Sequence, residues 1–525
     1  MRALLISGLA CLVVAGCSSR VFVDAPIVWR VEDNRSIPEP NEHVYVRYTH
    51  YADALVMDPL SQTLSVADRE RARDINALDE VPDSTWFENR IGRYELTVDD
   101  VVRGPGGRPP RLPLTITKGK VDGSNPGFIV KDADKRSFLI KFDPVGHAEM
   151  QTSNAVIASR LFWAAGYNVP YETVTTFTRN DLLIDSKATF DEGVNEDIPF
   201  TELQIERLLQ LAAPPKAGRY RVTASELLKG KPKGGYADRG TRPDDPNDTI
   251  PHEHRRTLRG LQVFCAWLDH TDINPQNSLD MYVEEGGRKF LRHYLIDFGE
   301  TLGAHGMAHP WMSYSHFFDS EHVLASAFSF GLWKRPWEDE PPQPFPSVGL
   351  YFSGRDPTAW REAKPYYAFR ERTRADTFWA AKIIMRFQRD QIEALVAKAE
   401  MSDEAAARYL ADTLMARRRE VGLAYLGNVT ALDAFSLDSG RLCAVDLAVR
   451  HNLSRRGIVE RLVDGDVVER APVATDGRVC FEGPGRSPYA VYSLRTVRED
   501  ESLPAVEVHL RGGDNPRVQG VVRDF

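Results

Sequence analysis

Strand-like runs of apolar residues occupy Leu112–Thr117, Gly127–Lys131 and Ser137–Phe142, separated by short Gly/Asp-rich turns. Short apolar runs bounded by turn residues predict a small antiparallel sheet. The period then changes. From Glu149 to Ala165, Met150, Ile157, Leu161 and Ala164 share one helical face, and Gly166 follows as a C-terminal cap. This helix is expected to lay its apolar side on the sheet. A strand near Tyr171–Phe177, a helix around Thr201–Ala213 and a strand over Arg219–Leu228 come next, then a Gly/Pro/Asp-rich loop from Lys229 to Asp248. Arg255–Asp269 carries Leu258, Leu261, Cys265 and Leu268 on one stripe, predicting a further helix that ends in a polar loop.

An aromatic and Pro-rich stretch runs from Gly303 to about Arg361, and long helices are expected near Ala375–Glu400 and Asp403–Leu426. From Ala431 short alternating segments return, among them Arg478–Phe481, Tyr489–Thr496 and Ala505–Leu510, and they predict a small β-sandwich over 431–525. The breaker cluster Gly104-Pro105-Gly106-Gly107-Arg108-Pro109-Pro110 can continue neither helix nor strand. It separates an N-terminal extension, 17–111, from the main folded region, 112–430. The fold class expected is α+β.

The first residues stand apart. Arg2 precedes an apolar stretch from Ala3 to Ala15, and Val14-Ala15-Gly16 precedes Cys17. As a helix this stretch is about 20 Å long, against about 30 Å of bilayer hydrocarbon, which makes it a signal peptide over 1–16 and not a span. It resembles a bacterial lipoprotein signal. The resemblance implies cleavage after Gly16, lipidation of Cys17 with palmitate-type acyl chains, and a membrane tether. Ser18 and Ser19 follow the cysteine where an Asp would mark the inner membrane, so an outer-membrane anchor in the cell envelope is expected.

Charge adds an exclusion. Lys plus Arg number 66 against 75 Asp plus Glu, a formal −9 that becomes −10 when Arg2 leaves with the signal. That balance carries no general footprint for nucleic acid. Cys443 and Cys480 lie in two strand-like segments of the C-terminal unit, and export favours oxidation. They form either a disulfide or a pair of buried thiols.

The chemistry concentrates in Trp267-Leu268-Asp269-His270-Thr271-Asp272-Ile273-Asn274-Pro275-Gln276-Asn277 and in Tyr294-Leu295-Ile296-Asp297-Phe298-Gly299. Phosphoryl transfer needs a carboxylate near the acceptor hydroxyl and oxygen ligands that hold Mg²⁺ against ATP phosphates. Both segments resemble the protein-kinase-like superfamily. His270-Thr271-Asp272 is similar to its catalytic-loop His-Arg-Asp, Asn277 to its metal-binding Asn, and Asp297-Phe298-Gly299 to its metal-binding Asp-Phe-Gly. The resemblance implies a two-lobed domain, with a small lobe over about 112–180 and a large lobe over 181–430. Asp272 would be the catalytic carboxylate, and Asn277 and Asp297 the metal ligands. Lys141 would bind nucleotide phosphates, with Glu149 bracing it. Gly119 and Gly123 are placed either as a phosphate cover or as a simple hairpin loop.

Thr271 stands where the motif has Arg, Lys141 and Glu149 are only eight apart, and no Ala-Pro-Glu follows Asp297. These traits are similar to the atypical HipA-type and CotH-type branches. The function implied is transfer of a phosphoryl group, or secondarily a nucleotidyl group, from Mg-ATP to a hydroxyl of a protein, glycan or small molecule. The competing reading is an inactive kinase-like envelope scaffold or ligand-binding lipoprotein, because ATP is scarce outside the cytoplasm.

Other clusters have plainer expectations. His252-Glu253-His254 lacks the i, i+4 spacing of a zinc-protease helix. Asp244, Asp245 and Asp248 read as a solvated turn, Arg255, Arg256 and Arg259 as a solvated helix face, and the aromatics between Trp311 and Phe352 as core.

Overall fold

The computed structural model describes residues 21–43, 57, 69–120, 126–191, 198–304, 311–317, 319–330, 332–499, 501–523 and 525. The expected lipidation at Cys17 and the candidate Gly123 lie outside the described residues.

The described residues 21–43 of the N-terminal extension lie as a strap against distant parts of the chain. The amide of Phe22 donates to the Tyr489 hydroxyl (2.9 Å), Asp24 pairs with Arg511 and Arg517, and the amide of Val31 donates to the Asp83 carbonyl (2.8 Å). Farther on, Glu39 pairs with Lys231 and with Lys233 (2.5 and 2.7 Å). The extension ends in a short helix, α1 (Val98–Arg103), started by a reciprocal capping box between Thr97 and Asp100.

The main sheet has seven strands: β1 (Leu114–Lys120), β2 (Gly127–Lys131), β3 (Ser137–Phe142), β4 (Glu172–Phe177), β5 (Leu182–Asp191), β6 (Ile198–Pro199) and β7 (Tyr220–Glu226). Their spatial order is β4-β7-β3-β2-β1-β5-β6, and every pairing is antiparallel except β1 with β5. The sheet is thus larger than expected and crosses the boundary anticipated near residue 180. Alternation decides which way each strand points. In β3, Phe138, Ile140 and Phe142 enter a core shared with Ile205 and Leu208 of a helix over Glu202–Leu211. Leu139 and Lys141 therefore point to the opposite face. There lies the helix Met150–Ala165, here α2, of which every residue except Trp163 is buried. Its polar residues, among them Gln151, Asn154 and Arg160, are enclosed along with its apolar ones. Gly166 closes it at φ 138°, with the Phe87 ring so close that a Cβ would come within 2.2 Å of it.

The expected helix over Arg255–Asp269 is divided in two, Arg256–Arg259 and Leu261–Leu268. Gly260 sits between them, where a Cβ would meet the Trp379 ring at 2.8 Å. The Ala375–Glu400 helix is likewise two, Arg374–Ile384 and Arg389–Lys398, and Glu404–Leu426 follows as expected. Cys265, Trp267, Trp379 and Leu414 join α2 in one core.

The charged clusters depart from expectation. Arg255, Arg256 and Arg259 are buried, and Arg256 pairs with Asp376 (2.9 Å) and Asp79 (3.1 Å). Asp248 is buried as well, holding His252 (2.8 Å) and Arg255 (2.7 Å). Side-chain periodicity ranks these residues as polar, and only their long-range partners remove them from solvent. Conversely, Phe328 and Phe330 are 79% and 94% exposed, so this part of the aromatic stretch is not core.

Residues 432–522 form two further sheets. One places Arg441–Asp446 between Leu432–Asp438 and Arg478–Glu482. The other runs through Asp466–Pro472, Ile458–Val463, Ala490–Arg498, Val506–Arg511 and Arg517–Val522, with Glu501–Ser502 paired beside it. Both contribute to one core that includes Leu442, Val459, Phe481, Leu494 and Val508. Cys443 and Cys480 face one another across the strands Arg441–Asp446 and Arg478–Glu482 and are joined by a disulfide, so the oxidised alternative is the one the structure contains.

Candidate active site

The two motif loops meet beside Lys141. The helix Leu261–Leu268 ends at Asp269, whose φ of 51° turns the chain into the loop and whose Oδ1 accepts from Trp360 Nε1 (2.9 Å). Asn274 Oδ1 accepts the amide of Gln276, and its Nδ2 donates to the Asp272 carbonyl (2.9 Å) and Oδ1 (3.1 Å). Asn277 Nδ2 donates to the Asp272 carbonyl and Oδ2, both at 2.7 Å. Each Asp272 oxygen therefore holds an amide donor. The amide nitrogen of Asn277 is committed to Asp272, which leaves Oδ1 as the atom that could hold a metal.

The second loop follows a hairpin, Ser278–Glu285 with Arg288–Leu295. The amide of Ile296 donates to the Asn277 carbonyl (3.1 Å), joining the loops directly. Asp297 lies at φ 66°, a region that Asp tolerates better than most residues. Phe298 is the anchor: fully buried, it stacks on Phe162 of α2 (5.2 Å between centroids) and packs against His270 (6.1 Å). Asn154 Nδ2 of α2 donates to the Thr301 carbonyl (2.7 Å). The Asp-Phe-Gly turn is thereby pinned to the helix that packs on the sheet, and Lys141 Nζ reaches Asp297 Oδ1 at 2.6 Å. Burial alone would lower the Lys141 pKa, but the Asp297 contact, with Glu172 and Glu300 nearby, raises it. Lys141 is held as a cation.

Burial pushes Asp272 up to about 6, with Glu300 and Asp297 adding to the rise while Lys364 and the Asn277 hydrogen bond oppose it. The carboxylates of the two loops thus feel one another. Lys141, Asp272, Asn277 and Asp297 are brought together.

Two candidates are not where the motif resemblance put them. Glu149 begins α2 at φ 69°, and its Oε2 accepts from the Ser402 amide (2.7 Å). It does not brace Lys141; its carboxylate is turned away to a neighbouring loop. Gly119 is not a loop residue. It lies inside β1, paired with Phe128 on one side and Phe190 on the other, and a Cβ there would stand 2.3 Å from the Phe200 ring. Its glycine is required by aromatic packing, so the phosphate-cover role is withdrawn for it.

The acid beside Lys141 is Glu172. Strand register explains why: Glu172 is opposite Ser225 in β7, Ser225 is opposite Leu139 in β3, and Leu139 and Lys141 share a face. Glu172 is 6% exposed, and among the described residues its Oε2 has no hydrogen-bond partner. Burial raises it to about 8, against the opposing pull of Lys141. Lys141, Gln151, Glu172, Ser225 and Asp297 line one cavity of about 20 Å³, room for a water. In sequence, Glu172 is a lone acid at the start of a Val/Thr strand, and only the pairing of three strands reveals its neighbour.

Among the described residues no group of three or more His, Cys, Asp or Glu side chains forms a ready-made metal cage. The donor set nonetheless suits Mg²⁺, which takes one or two carboxylates and completes its shell with phosphate oxygens and water. Asp297 and the Asn277 Oδ1 supply such a partial set.

No protein-family model matches the chain, and no curated protein matches its sequence. Two solved structures are similar in part. A crystal structure of the Golgi casein kinase overlaps 63% of this chain and 74% of its own at 8% identity, with a TM-score of 0.28. A crystal structure of the Golgi casein kinase with Mn/ADP bound overlaps 75% of this chain and 94% of its own at 9% identity, with a TM-score of 0.30. Overlap at this level assigns no activity to the chain.

Proposed function

We propose that this chain is an atypical kinase-like phosphotransferase of the bacterial cell envelope, moving a phosphoryl group from Mg-ATP to a hydroxyl. The observation that carries this reading is the 2.6 Å contact of Lys141 with Asp297, next to the Asp272–Asn277 pair held at 2.7 Å. In it, the seven-stranded sheet serves as the small lobe, the helical region as the large lobe, and 431–525 as a β-sandwich-like module.

Each residue has a task that its surroundings support. Lys141 supplies a fixed positive charge for phosphate oxygens. Asp297 and Asn277 Oδ1 would hold Mg²⁺, whose chemistry is to neutralise charge on the phosphates. Asp272, oriented by two amide donors, aligns the acceptor hydroxyl and takes its proton.

A thermal-shift titration with Mg²⁺ and ATP tests the reading. At a hundredfold excess over Kd the wild type is expected to gain about 2.7 kcal/mol. Asp297→Ala should gain nothing. A wild type that shifts with no nucleotide would overturn the enzyme and leave the scaffold. One observation favours that second reading: the carboxylate meant for the metal is already engaged by Lys141.

The membrane tether is part of the same proposal and rests on the residues around Cys17. Cys17→Ser is expected to accumulate as an unprocessed precursor that incorporates no labelled palmitate. Normal processing of that variant would remove the anchor.

A further inference from the structure

We infer that Glu172 is the positioning acid of this site, receiving the Lys141 ammonium when Asp297 turns to a metal–nucleotide complex. The inference rests on the phosphotransfer reading and adds to it a hand-over of Lys141 between two carboxylates.

The need for a second acid follows from charge. Asp297 cannot keep an ammonium at 2.6 Å and also present its oxygens to a divalent cation without placing two cations side by side. A Lys141 displaced from Asp297 stays within a largely buried cleft, where an uncompensated charge is costly. Helix α2 cannot satisfy it with a charge. Its residues lining the cavity, Gln151, Thr152 and Ala155, are neutral, and Glu149 is tied to the Ser402 amide.

Glu172 fits the vacancy. It shares the Lys141 face of the sheet, lines the same cavity, and carries a buried Oε2 that has no hydrogen-bond partner among the described residues. An unsatisfied buried acceptor is costly, so its retention calls for a reason. Its surroundings hold it in place. Its backbone carbonyl accepts from Nη1 of Arg160 (2.8 Å), whose Nε donates to the Val102 carbonyl (2.7 Å). The strand end is therefore fixed, and the ammonium of the long, flexible lysine is the part that travels. Asp297 thereby acts as a resting partner, and Glu172 as the partner in the loaded state.

Metal and nucleotide binding test this without any turnover measurement. Titrating Mn²⁺–ADP into the wild type and Glu172→Gln should show at least a tenfold weaker Kd in the variant. Lys141→Ala should bind Mn²⁺ alone more tightly than the wild type, because Asp297 is released. In the Lys141→Ala background, adding Glu172→Gln should change Mn²⁺–ADP affinity less than twofold, an outcome that a merely structural Glu172 would not give. The Gln substitution keeps size and removes only a buried acid; Glu172→Met reads the same way should the amide disturb packing. Equal affinity in wild type and Glu172→Gln, or an equal loss in both backgrounds, would overturn the hand-over while leaving the phosphotransfer reading intact. A wild type that binds no Mn²⁺–ADP would overturn both.

Discussion

Asp272→Asn is expected to lower phosphoryl transfer by about 10²–10⁴-fold, the usual worth of a positioned general base, while Mg-nucleotide affinity stays within twofold of the wild type. The substitution is close to isosteric. Asp272 receives amide hydrogens from Asn274 at Oδ1 and Asn277 at Oδ2, and an Asn can keep one of these contacts through its carbonyl oxygen. What it loses is the capacity to accept a proton from the acceptor. Single-turnover transfer to a generic acceptor protein, measured beside nucleotide affinity, separates the outcomes. A loss smaller than tenfold would remove Asp272 from the chemistry. A parallel loss of nucleotide binding would make it a structural residue of the loop. The contrast with Asp297→Ala, which should lose binding itself, keeps the two carboxylates distinct.

The parts of this site that were legible in the sequence are those built from short-range order. Asp272 and Asn277 lie five apart in one loop, and Asp297 opens an Asp-Phe-Gly after an apolar run, so the order and context of two short motifs were enough to carry the kinase-like resemblance. Lys141 was legible because β3 alternates cleanly and places it off the core face. Glu172 was not, since its link to Lys141 passes through two inter-strand registers that no local window contains. The same reason accounts for the errors. Gly119 resembles a turn glycine until Phe190 and Phe200 are seen closing over it, and both arrive from the parallel strand and hairpin beyond residue 180. Arg256 and Arg259 read as a solvated face because Asp79 and Asp376 lie more than a hundred residues away in sequence. Helix breaks at Gly260 and after Ile384 were hidden by an apolar period that continues across them.

Those distant partners also explain how the extension, the helical region and the C-terminal unit are joined, and Asp79→Asn is expected to weaken that junction by about 3–5 kcal/mol. Asp79 is 2% exposed and is approached by Arg71 (3.1 Å), Arg256 (3.1 Å) and Arg523 (3.2 Å), one from each part. Arg523 also holds Asp433 at 2.8 Å, at the start of the C-terminal unit. Burial by itself would raise the Asp79 pKa; the three guanidinium groups outweigh it and lower it. A neutral amide would leave those cations facing one another in a buried space. Asn also tolerates the local φ of 63°, so backbone strain does not confound the result. Denaturant unfolding should show the C-terminal unit separating first, and a change below 1 kcal/mol would refute the junction.

Acidity provides an independent check. With its pKa depressed, Asp79 contributes stability fully above the unfolded carboxyl value of about 3.9, and that contribution disappears as pH falls through the lower folded value. His509, buried under Phe22 and Tyr489, is held at about 4 by burial and then by Arg71. It is neutral in the folded state where the unfolded chain is protonated, so its stabilising share falls by about 3 kcal/mol as pH drops from about 6.5 to 4. Between those values wild type and Asp79→Asn should weaken in parallel, and their difference should narrow only in stronger acid, where Asp79 itself takes up a proton.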